Sequence, residues 1–415
     1  MTKQSRLIFR NKIFFRLWMA QSGSSLGDWF NHVALAATTL SLTQSPTAMG
    51  LVLLCRDLPQ VTLSFLAGPL LDRFSKRLMM YISDLVRALV AIVFIWAALE
   101  QQMWAFYTGS VLMGIASSVF GPARNATIPG VVAEKDITEA NSWTVATSGV
   151  LSVVGAAFGG LVSTVVQPAI AFAVNAFSYI WSAAWILITK WKEVTREQDK
   201  EESSSYFAEL REGFTLLKEN RIIMALICTS VAFAIMSGPY FVMIPVLGDL
   251  IYNLGGIGIG LLYVADGLAF ILSASLVGRV VGNNVTSAHR WYGWGFVIQA
   301  AFFVAFAFST NVWAGMIFIF LSQLGAGILL TLGMTILQMT VSPEVRGRIF
   351  AIDHTVDTGV KQLSLLISGP AISLLGSPIV GMIVGVIGGF AGISWWYVSN
   401  RERKNVSQTS EPYQI

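Results

Sequence analysis

The stretch GPLLDRFSKR, residues 68–77, joins two apolar segments at 47–70 and 78–99. It places a glycine and an acid, Asp72, beside a run of cations. Each apolar segment is long enough to cross a hydrocarbon core of about 30 Å as a helix. Because backbone polar groups must be hydrogen-bonded in lipid, this pattern predicts two consecutive membrane-spanning helices with a charged turn between them.

The same apolar pattern continues along the chain of 415 residues, of which 54% are hydrophobic and only 12% charged. Soluble domains carry about twice that share of charged residues, so the composition predicts a membrane protein. Apolar segments of spanning length recur, and they predict an all-α membrane protein with twelve transmembrane helices. These predicted spans cover residues 14–41, 47–70, 78–99, 104–128, 142–166, 168–189, 221–248, 255–280, 289–309, 312–339, 354–376 and 378–399.

The basic residues test this number of spans, because Lys and Arg favour cytoplasmic loops. Of the 27 basic residues, Arg16, Arg56, Arg87 and Lys361 are assigned to the spans, and the other 23 lie in loops or within a few residues of a span end. With twelve spans, all the others fall on one side of the membrane. Both termini are therefore predicted to be cytoplasmic, in a multi-pass protein of the cell membrane.

The longest hydrophilic break divides the chain near its middle. An ungapped shift of 210 residues aligns Gly50 with Gly260 and Gly159 with Gly369 at equivalent places in the predicted spans. Such a duplication predicts two six-helix halves related by a pseudo-two-fold axis along the membrane normal. The predicted regions are an N-terminal half at 1–189, a cytoplasmic linker with a short amphipathic helix at 190–220, a C-terminal half at 221–400 and a cytoplasmic tail at 401–415.

The loop at 68–77 resembles the signature loop of the major facilitator superfamily, G-x-x-x-D-R-x-x-[KR]-[KR], at the position where that family carries it. Other segments resemble macrolide-efflux and enterobactin-exporter-like members of the family. These segments are LGDWF at 26–30, SDLVRA at 83–88, GPAR at 121–124 and PEVRGR at 343–348. The resemblance covers essentially the whole chain and implies a drug:proton antiporter that works as a monomer.

The resemblance also implies a gating role for the charged loop, in which ion pairs break and re-form as the two halves rock. A plain positive-inside anchor is the alternative, but it explains the cations and not Asp72. The three ionisable residues Asp84, Arg87 and Arg124 are predicted to join the same network. The predicted gating residues are Gly68, Asp72, Arg73, Lys76, Arg77, Asp84, Arg87 and Arg124.

The predicted span at 142–166 resembles the antiporter motif of the family through Gly149, Gly155, Gly159 and Gly160. The Gly-Pro pair that is usual in this motif is Gly155-Ala156 here. Small residues let two helices approach closely. The resemblance therefore implies a tightly packed helix of an exporter.

Ionisable residues near the middle of the membrane are the candidates for proton coupling and substrate binding, because charges are costly there. Asp28, Arg56, Asp57 and Asp266 lie deep in their spans at a rise of about 1.5 Å per residue. Asp28 is the first candidate, since a carboxylate at the midplane can exchange a proton for a cationic substrate. Asp266 is the second, with helix capping or interhelical hydrogen bonding as the alternative.

Arg56 and His32 have predicted roles that depend on Asp28. Arg56 is its predicted charge partner, although a permanent pair would only hold two helices together. His32 follows Asp28 by one turn on the same face and can relay a proton or bind substrate, with simple packing as the favoured alternative. Asp57 lies about 100° around the helix from Arg56, so the two side chains cannot point to one place and one of them is expected to face a neighbouring helix.

Three charged residues at the start of the predicted span at 354–376 follow one another at one-turn intervals. Acids suit the positive end of a helix, so Asp353 and Asp357 fit this place. Lys361 is predicted to pair with Asp357. The group is interpreted as structural or gating.

Several classes of function find no support in the sequence. The chain lacks the phosphate-binding motif G-x-x-x-x-G-K-[ST] and the zinc motif H-E-x-x-H, and its two cysteines, Cys55 and Cys228, have no paired spacing. A net charge of +4 in short clusters does not predict nucleic-acid binding. The chain is thus predicted to be no enzyme and to need no cofactor or metal.

The favoured function is secondary active export of an amphipathic small molecule driven by the proton gradient. Export of a siderophore or another endogenous metabolite is the alternative. An uptake symporter and a non-transporting receptor are less favoured, since a receptor would be expected to carry a folded soluble domain.

Overall fold

The computed structural model describes residues 6–64, 70–71, 73–191, 221–280 and 285–409. Within these ranges the regular structure consists of helices and contains no strand. Gly68 and Asp72 of the charged loop lie outside the described residues, as does the predicted amphipathic helix of the linker.

The helices begin and end close to the predicted spans. In chain order they are α1 Arg6–Arg10, α2 Lys12–Thr43, α3 Pro46–Ser64, α4 Lys76–Leu99, α5 Met103–Val131, α6 Ile137–Val165, α7 Pro168–Ile188, α8 Arg221–Val246, α9 Gly255–Val280, α10 Val285–Ala307, α11 Val312–Thr340 and α12 Pro343–Thr409. A π-helical turn, Leu247–Ile251, continues α8. Residue Gly376 bends α12 with a φ of 79° and a ψ of 158°, a conformation that favours glycine.

Eight helical segments of the described chain are long and apolar enough to cross a membrane. They include α4, α5, α6, α7 and α11. The helices α2 and α3 are not among them, and these two helices carry Asp28, Arg56 and Asp57. The described chain is thus all-helical and contains several helices of membrane-spanning length, and α2, α3 and α10 are its less apolar long helices.

Packing divides the chain into two compact units. Unit 1 contains Met1–Glu197 with Val242–Gly267, and unit 2 contains Gln198–Phe241 with Leu268–Ile415. Each has an aromatic core of its own. In unit 1 the rings of Phe94, Phe106 and Phe172 pack with centroids 5.4 to 5.8 Å apart. In unit 2 the buried Trp395 donates to the His289 carbonyl oxygen over 2.8 Å.

Helix α6 packs closely on two neighbours within unit 1. A Cβ atom at Gly155 would lie 2.6 Å from Trp29 Cβ of α2, and one at Gly159 would lie 3.0 Å from Phe30 Cα. A Cβ atom at Gly160 would lie 3.0 Å from the carbonyl carbon of Gly256 in α9. Because these neighbours are largely backbone, only glycine permits this approach.

Gly149 is the fourth glycine predicted for this packing. It is partly exposed, and its carbonyl oxygen accepts a hydrogen bond of 2.8 Å from Ser152 of the same helix. The close contacts of α6 therefore lie in its second half, at Gly155, Gly159 and Gly160.

Candidate functional site

The side chain of Asp28 is bound by a tyrosine from another helix. The buried hydroxyl of Tyr179 in α7 donates a hydrogen bond to Asp28 Oδ1, and this hydroxyl oxygen also lies 3.5 Å from Met113 Sδ. Gly27 makes this contact possible, because a Cβ atom there would lie 2.6 Å from Ser178 Cβ. The glycine beside Asp28 thus lets α2 approach α7 closely enough for the carboxylate to meet the phenol.

The predicted ion pair between Asp28 and Arg56 is not formed, although both residues belong to the described chain. Arg56 is half-buried in α3, and its Nε has no hydrogen-bond acceptor in the part of the chain that the structure describes. Its charge acts on His32 and Tyr179. Asp28 turns to α7 because the close approach at Gly27 brings Tyr179 nearer than the guanidinium.

A buried ion pair lies on the other side of Tyr179. Asp84 and Arg87, one turn apart on α4, form this pair and are 0% and 3% exposed. The guanidinium carbon of Arg87 lies 4.5 Å from the ring centre of Tyr179 and 4.3 Å from that of Phe120. Tyr179 therefore touches Asp28 with its hydroxyl and Arg87 with its ring. We call Asp28, Tyr179, Arg87 and Asp84 the carboxylate network.

The charges of the carboxylate network do not balance. Two carboxylates and one guanidinium leave one negative charge when both acids are ionised, and Arg56, whose charge also acts on Tyr179, forms no ion pair with either acid. An unbalanced charge is costly among packed helices, and one bound proton would remove it. The two acids differ in exposure, since Asp28 is partly exposed whereas Asp84 is completely buried.

A second polar group occupies the next turn of α2, where His32 faces α9. The His32 Nε2 atom lies 2.9 Å from the hydroxyl of Tyr263, a hydrogen bond whose direction depends on the tautomer of the imidazole. The rings of Trp29, His32 and Tyr263 meet edge to face with centroids 5.2 to 5.6 Å apart. We call these three residues the His32 group. His32 thus has a polar partner rather than purely apolar packing.

The two remaining acids of the predicted site lie around Tyr263. Asp266, one turn further along α9, is 7% exposed, and Asp57 is half-buried in α3. The charges of both act on the Tyr263 hydroxyl. Helices α2, α3 and α9 therefore bring the predicted coupling residues into one region of unit 1.

The predicted gating residues separate into two places. Arg77 donates to the carbonyl oxygens of Ile186, at 3.1 Å, and Leu187. These oxygens belong to the C-terminal end of α7, whose partial negative charge stabilises a cation. Arg73 is exposed, and Lys76 is partly buried at the start of α4. Asp84 and Arg87 do not join them, because their side chains point inward to Tyr179.

Arg124 does not reach Asp84 or Arg87 either. Its Nη2 donates to Asn125 Oδ1 over 2.7 Å, on the exposed side of α5. Arg124 therefore lies apart from the buried pair of Asp84 and Arg87, and the membership of these three residues in a network around Asp72 stays a prediction. Whether Asp72 contacts the cations stays a prediction, since this residue lies outside the described chain.

Tyr179 is the functional residue that sequence reasoning missed. A local signal for it exists, since Asn175, Ser178, Tyr179 and Ser182 follow one another at intervals of three, one and three residues along an otherwise apolar helix. Such spacing places polar groups on one face. All four residues are buried, which fits a polar face directed at other helices.

The acids of unit 2 have a different environment. Lys361 lies with its Nζ 4.6 Å from the ring centre of Phe241 and forms no ion pair with Asp357, although both belong to the described chain. The predicted pair of Lys361 and Asp357 is thus wrong, and the ammonium lies over the Phe241 ring of α8 instead. Asp353 and Asp357 are partly buried on α12.

Comparison with protein families adds an independent result. Residues 6–369 match the family of transmembrane secretion effectors. An uncharacterized MFS-type transporter, YfiS of Bacillus subtilis (strain 168), is 24% identical over 393 residues, which cover 92% of each chain. The relationship therefore extends over nearly the whole sequence.

Two further relatives carry names that describe export. The putative bacilysin exporter BacE of Bacillus subtilis (strain 168) is 24% identical over 81% of this chain and 82% of its own. Macrolide efflux protein A of Streptococcus pyogenes is 20% identical over 65% of this chain and 67% of its own. Both names describe outward movement of a compound, and they differ in the compound.

Solved structures agree on the fold. The crystal structure of the nucleoside transporter NupG superposes with a TM-score of 0.72 and 12% identity, covering 93% of this chain and 98% of that one. At this identity the likeness concerns the fold alone.

Proposed function

The chain belongs to the transmembrane secretion effector family of major facilitator transporters, and on this basis we propose that it exports amphipathic small molecules across the cell membrane in exchange for protons. Its activity is transport and not an enzymatic reaction. The names of two relatives, a putative bacilysin exporter and a macrolide efflux protein, support the outward direction.

The carboxylate network is the observation that carries the coupling to protons. Asp28 is partly exposed, accepts a hydrogen bond from Tyr179 and lies near the buried pair in which Asp84 contacts Arg87. A proton that binds Asp28 removes the remaining charge of the network. A proton and a cationic cargo can therefore use the same carboxylate in turn, which is what an exchange mechanism needs.

The His32 group is the proposed place for the cargo. It offers the partly exposed ring of Trp29 together with the polar edge of His32, and both rings pack on the buried ring of Tyr263. Aromatic faces bind apolar surfaces and cations alike. Because His32 follows Asp28 by one turn, a bound cargo would lie next to the proton site.

The proposed topology has twelve spans, with both termini in the cytoplasm and a functional monomer. Helices α2 to α11 supply ten spans. Helix α12 has 67 residues, which would extend about 100 Å as a straight rod, three times the thickness of the hydrocarbon core. The bend at Gly376 supports two spans in α12, which completes the two six-helix halves inferred from the repeat.

The alternative cargo is a metabolite made by the cell itself. The name of the putative bacilysin exporter favours this alternative for one relative. Drug sensitivity separates the two hypotheses. Cells that lack the gene should become more sensitive to some members of a panel of macrolides and cationic dyes. Unchanged sensitivity, together with loss of a compound from the growth medium, would support the metabolite.

Asp28→Asn tests the proposed coupling. In everted membrane vesicles, the variant should lose cargo-driven proton movement by at least about tenfold, because general acid and base groups contribute roughly 10²-fold or more. Glu100→Gln, at an exposed carboxylate after α4, is the matched control and should transport protons normally. Undiminished coupling in Asp28→Asn would remove this residue from the mechanism.

Tyr179→Phe tests the link between Asp28 and the rest of the network. A hydrogen bond to a charged group contributes about 1.5–3 kcal/mol, which corresponds to roughly one to two pH units. Without this donor the carboxylate holds its proton more tightly, so the pH profile of transport should move by that amount toward alkaline pH. Tyr107→Phe removes a hydroxyl of unit 1 outside the carboxylate network and the His32 group and should leave the profile in place. An unmoved profile in Tyr179→Phe contradicts the proposed link.

A further inference from the structure

Unit 2 contains an apolar groove that the proposed transport mechanism does not use. It lies between α8 and the last part of α12 and has a volume of about 790 Å³, within the range of ligand sites. Its walls are mostly apolar, and its floor includes the buried residues Thr229, Ala391 and Trp395. Along its rim, Val386 and Phe390 are each 72% exposed.

The length of the groove matches one leaflet of a bilayer. On α8 the lining residues extend from Arg221 to Ile235, which corresponds to about 21 Å of helix. Half of the hydrocarbon core measures about 15 Å, so the groove covers one leaflet and reaches its headgroup region. A lipid acyl chain has the shape and chemistry that such a groove requires.

The positive charge at one end of the groove indicates where the headgroup of a lipid would bind. Arg221 and Arg401 both line the cavity and are exposed, at the N-terminal end of α8 and near the C-terminal end of α12. The opposite end, toward Ile235 and Val386, is apolar. Two guanidinium groups at the mouth of an apolar groove complement a lipid phosphate.

We propose that this groove binds one anionic phospholipid of the cytoplasmic leaflet, with an acyl chain along the apolar walls and the phosphate at Arg221 and Arg401. The assignment of the leaflet rests on the orientation proposed above, in which the N-terminal end of α8 and the C-terminal end of α12 are cytoplasmic. The binding itself depends only on the groove and its two arginines.

The lipid reaches a buried part of unit 2 through the floor of the groove. The hydroxyl of Thr229 lies 3.0 Å from that of Tyr292 in α10, and Tyr292 packs on Trp395 with ring centroids 4.8 Å apart. A chain in the groove therefore presses on the contacts that join α8, α10 and α12. Loss of the lipid should loosen this part of unit 2.

Lipid retention by the purified full-length protein tests the proposal without a proton gradient or a cargo. The protein is exposed in detergent to equal amounts of phosphatidylglycerol and phosphatidylcholine, and the retained lipids are counted by native mass spectrometry. Each protein molecule should retain one phosphatidylglycerol in preference to phosphatidylcholine. Arg221→Gln and Arg401→Gln should each lower this preference about fivefold, and Ala232→Trp, which fills the groove, should lower the retention of both lipids.

Arg290→Gln is the matched control, because it removes an exposed arginine of unit 2 that does not line the groove. It should retain phosphatidylglycerol like the unchanged protein. Equal retention of the two lipids, or a preference that survives both groove substitutions, would overturn the proposal. Since retention is measured without transport, a failure of the export hypothesis leaves this result unaffected.

Discussion

Two acids of unit 1, Asp84 and Asp266, are buried, whereas Asp353 and Asp357 of unit 2 are only partly buried. In unit 1, Asp84 and Arg87 are in direct contact and almost completely buried, and Asp28 accepts a hydrogen bond from a buried tyrosine. In unit 2, Asp357 is partly buried and Lys361 lies on a phenylalanine ring.

This difference teaches where a change of charge has the larger consequence. In an enclosed group each charge depends on its partner, because little solvent is present to replace a lost contact. In an open group the charges are solvated separately, and losing one costs little. A change of charge in the enclosed network of unit 1 should therefore have a larger effect than a change of charge at Asp357 or Lys361 of unit 2.

Arg87→Gln is the strongest way to break the enclosed arrangement. It leaves Asp84 buried without its cation, which costs about 3–5 kcal/mol when one partner of a buried pair is removed. We expect the free energy of unfolding in detergent to fall by this amount. Arg290→Gln, at an exposed arginine of unit 2, should change it by less than about 1 kcal/mol.

The double variant Asp84→Asn with Arg87→Gln checks the cause of this loss. Because it removes both charges, it should recover a large part of the stability that Arg87→Gln loses. If the double variant is no more stable than the single one, the packing of the arginine on Tyr179 and Phe120 matters more than the ion pair.

Gly160→Ala sharpens the comparison at the level of packing. The added Cβ atom would collide with backbone atoms of Gly256 in α9, which cannot rotate away, so α6 and α9 must separate. We expect a loss of about 1–3 kcal/mol in the free energy of unfolding. Gly359→Ala in unit 2 has open space around its Cβ atom and should instead stabilise α12 slightly. Equal effects of the two substitutions would contradict the close packing of α6.

The helices of the fold were predictable because their signal is local. Spans such as those predicted at 104–128 and 312–339 lie within α5, Met103–Val131, and α11, Val312–Thr340. The length of each helix can be predicted from its own apolar segment, without knowledge of the segments that pack against it. The number of twelve spans and the two halves stay predictions, since they concern the arrangement of segments and not their existence.

The candidate site was predictable only in part. Asp28 and His32 were found because ionisable residues are conspicuous in apolar segments, and the structure gives both of them polar partners. The partner of Asp28 was not predicted, because its identity depends on which helix approaches α2 at Gly27. Tyr179 lies 151 residues away in the sequence, and a tyrosine does not stand out in a membrane span.

Lys361→Met probes the open group of unit 2 and should have the smallest effect. The ammonium lies 4.6 Å from the Phe241 ring centre, and a contact of this kind contributes about 0.5–1 kcal/mol at a partly exposed site. The free energy of unfolding should fall by this amount. In a double-mutant cycle, Lys361→Met should cost nothing further once Phe241→Leu has removed the ring. If the two losses add in full, the lysine acts through Asp357 as the sequence predicted, and the contrast between the two units becomes smaller.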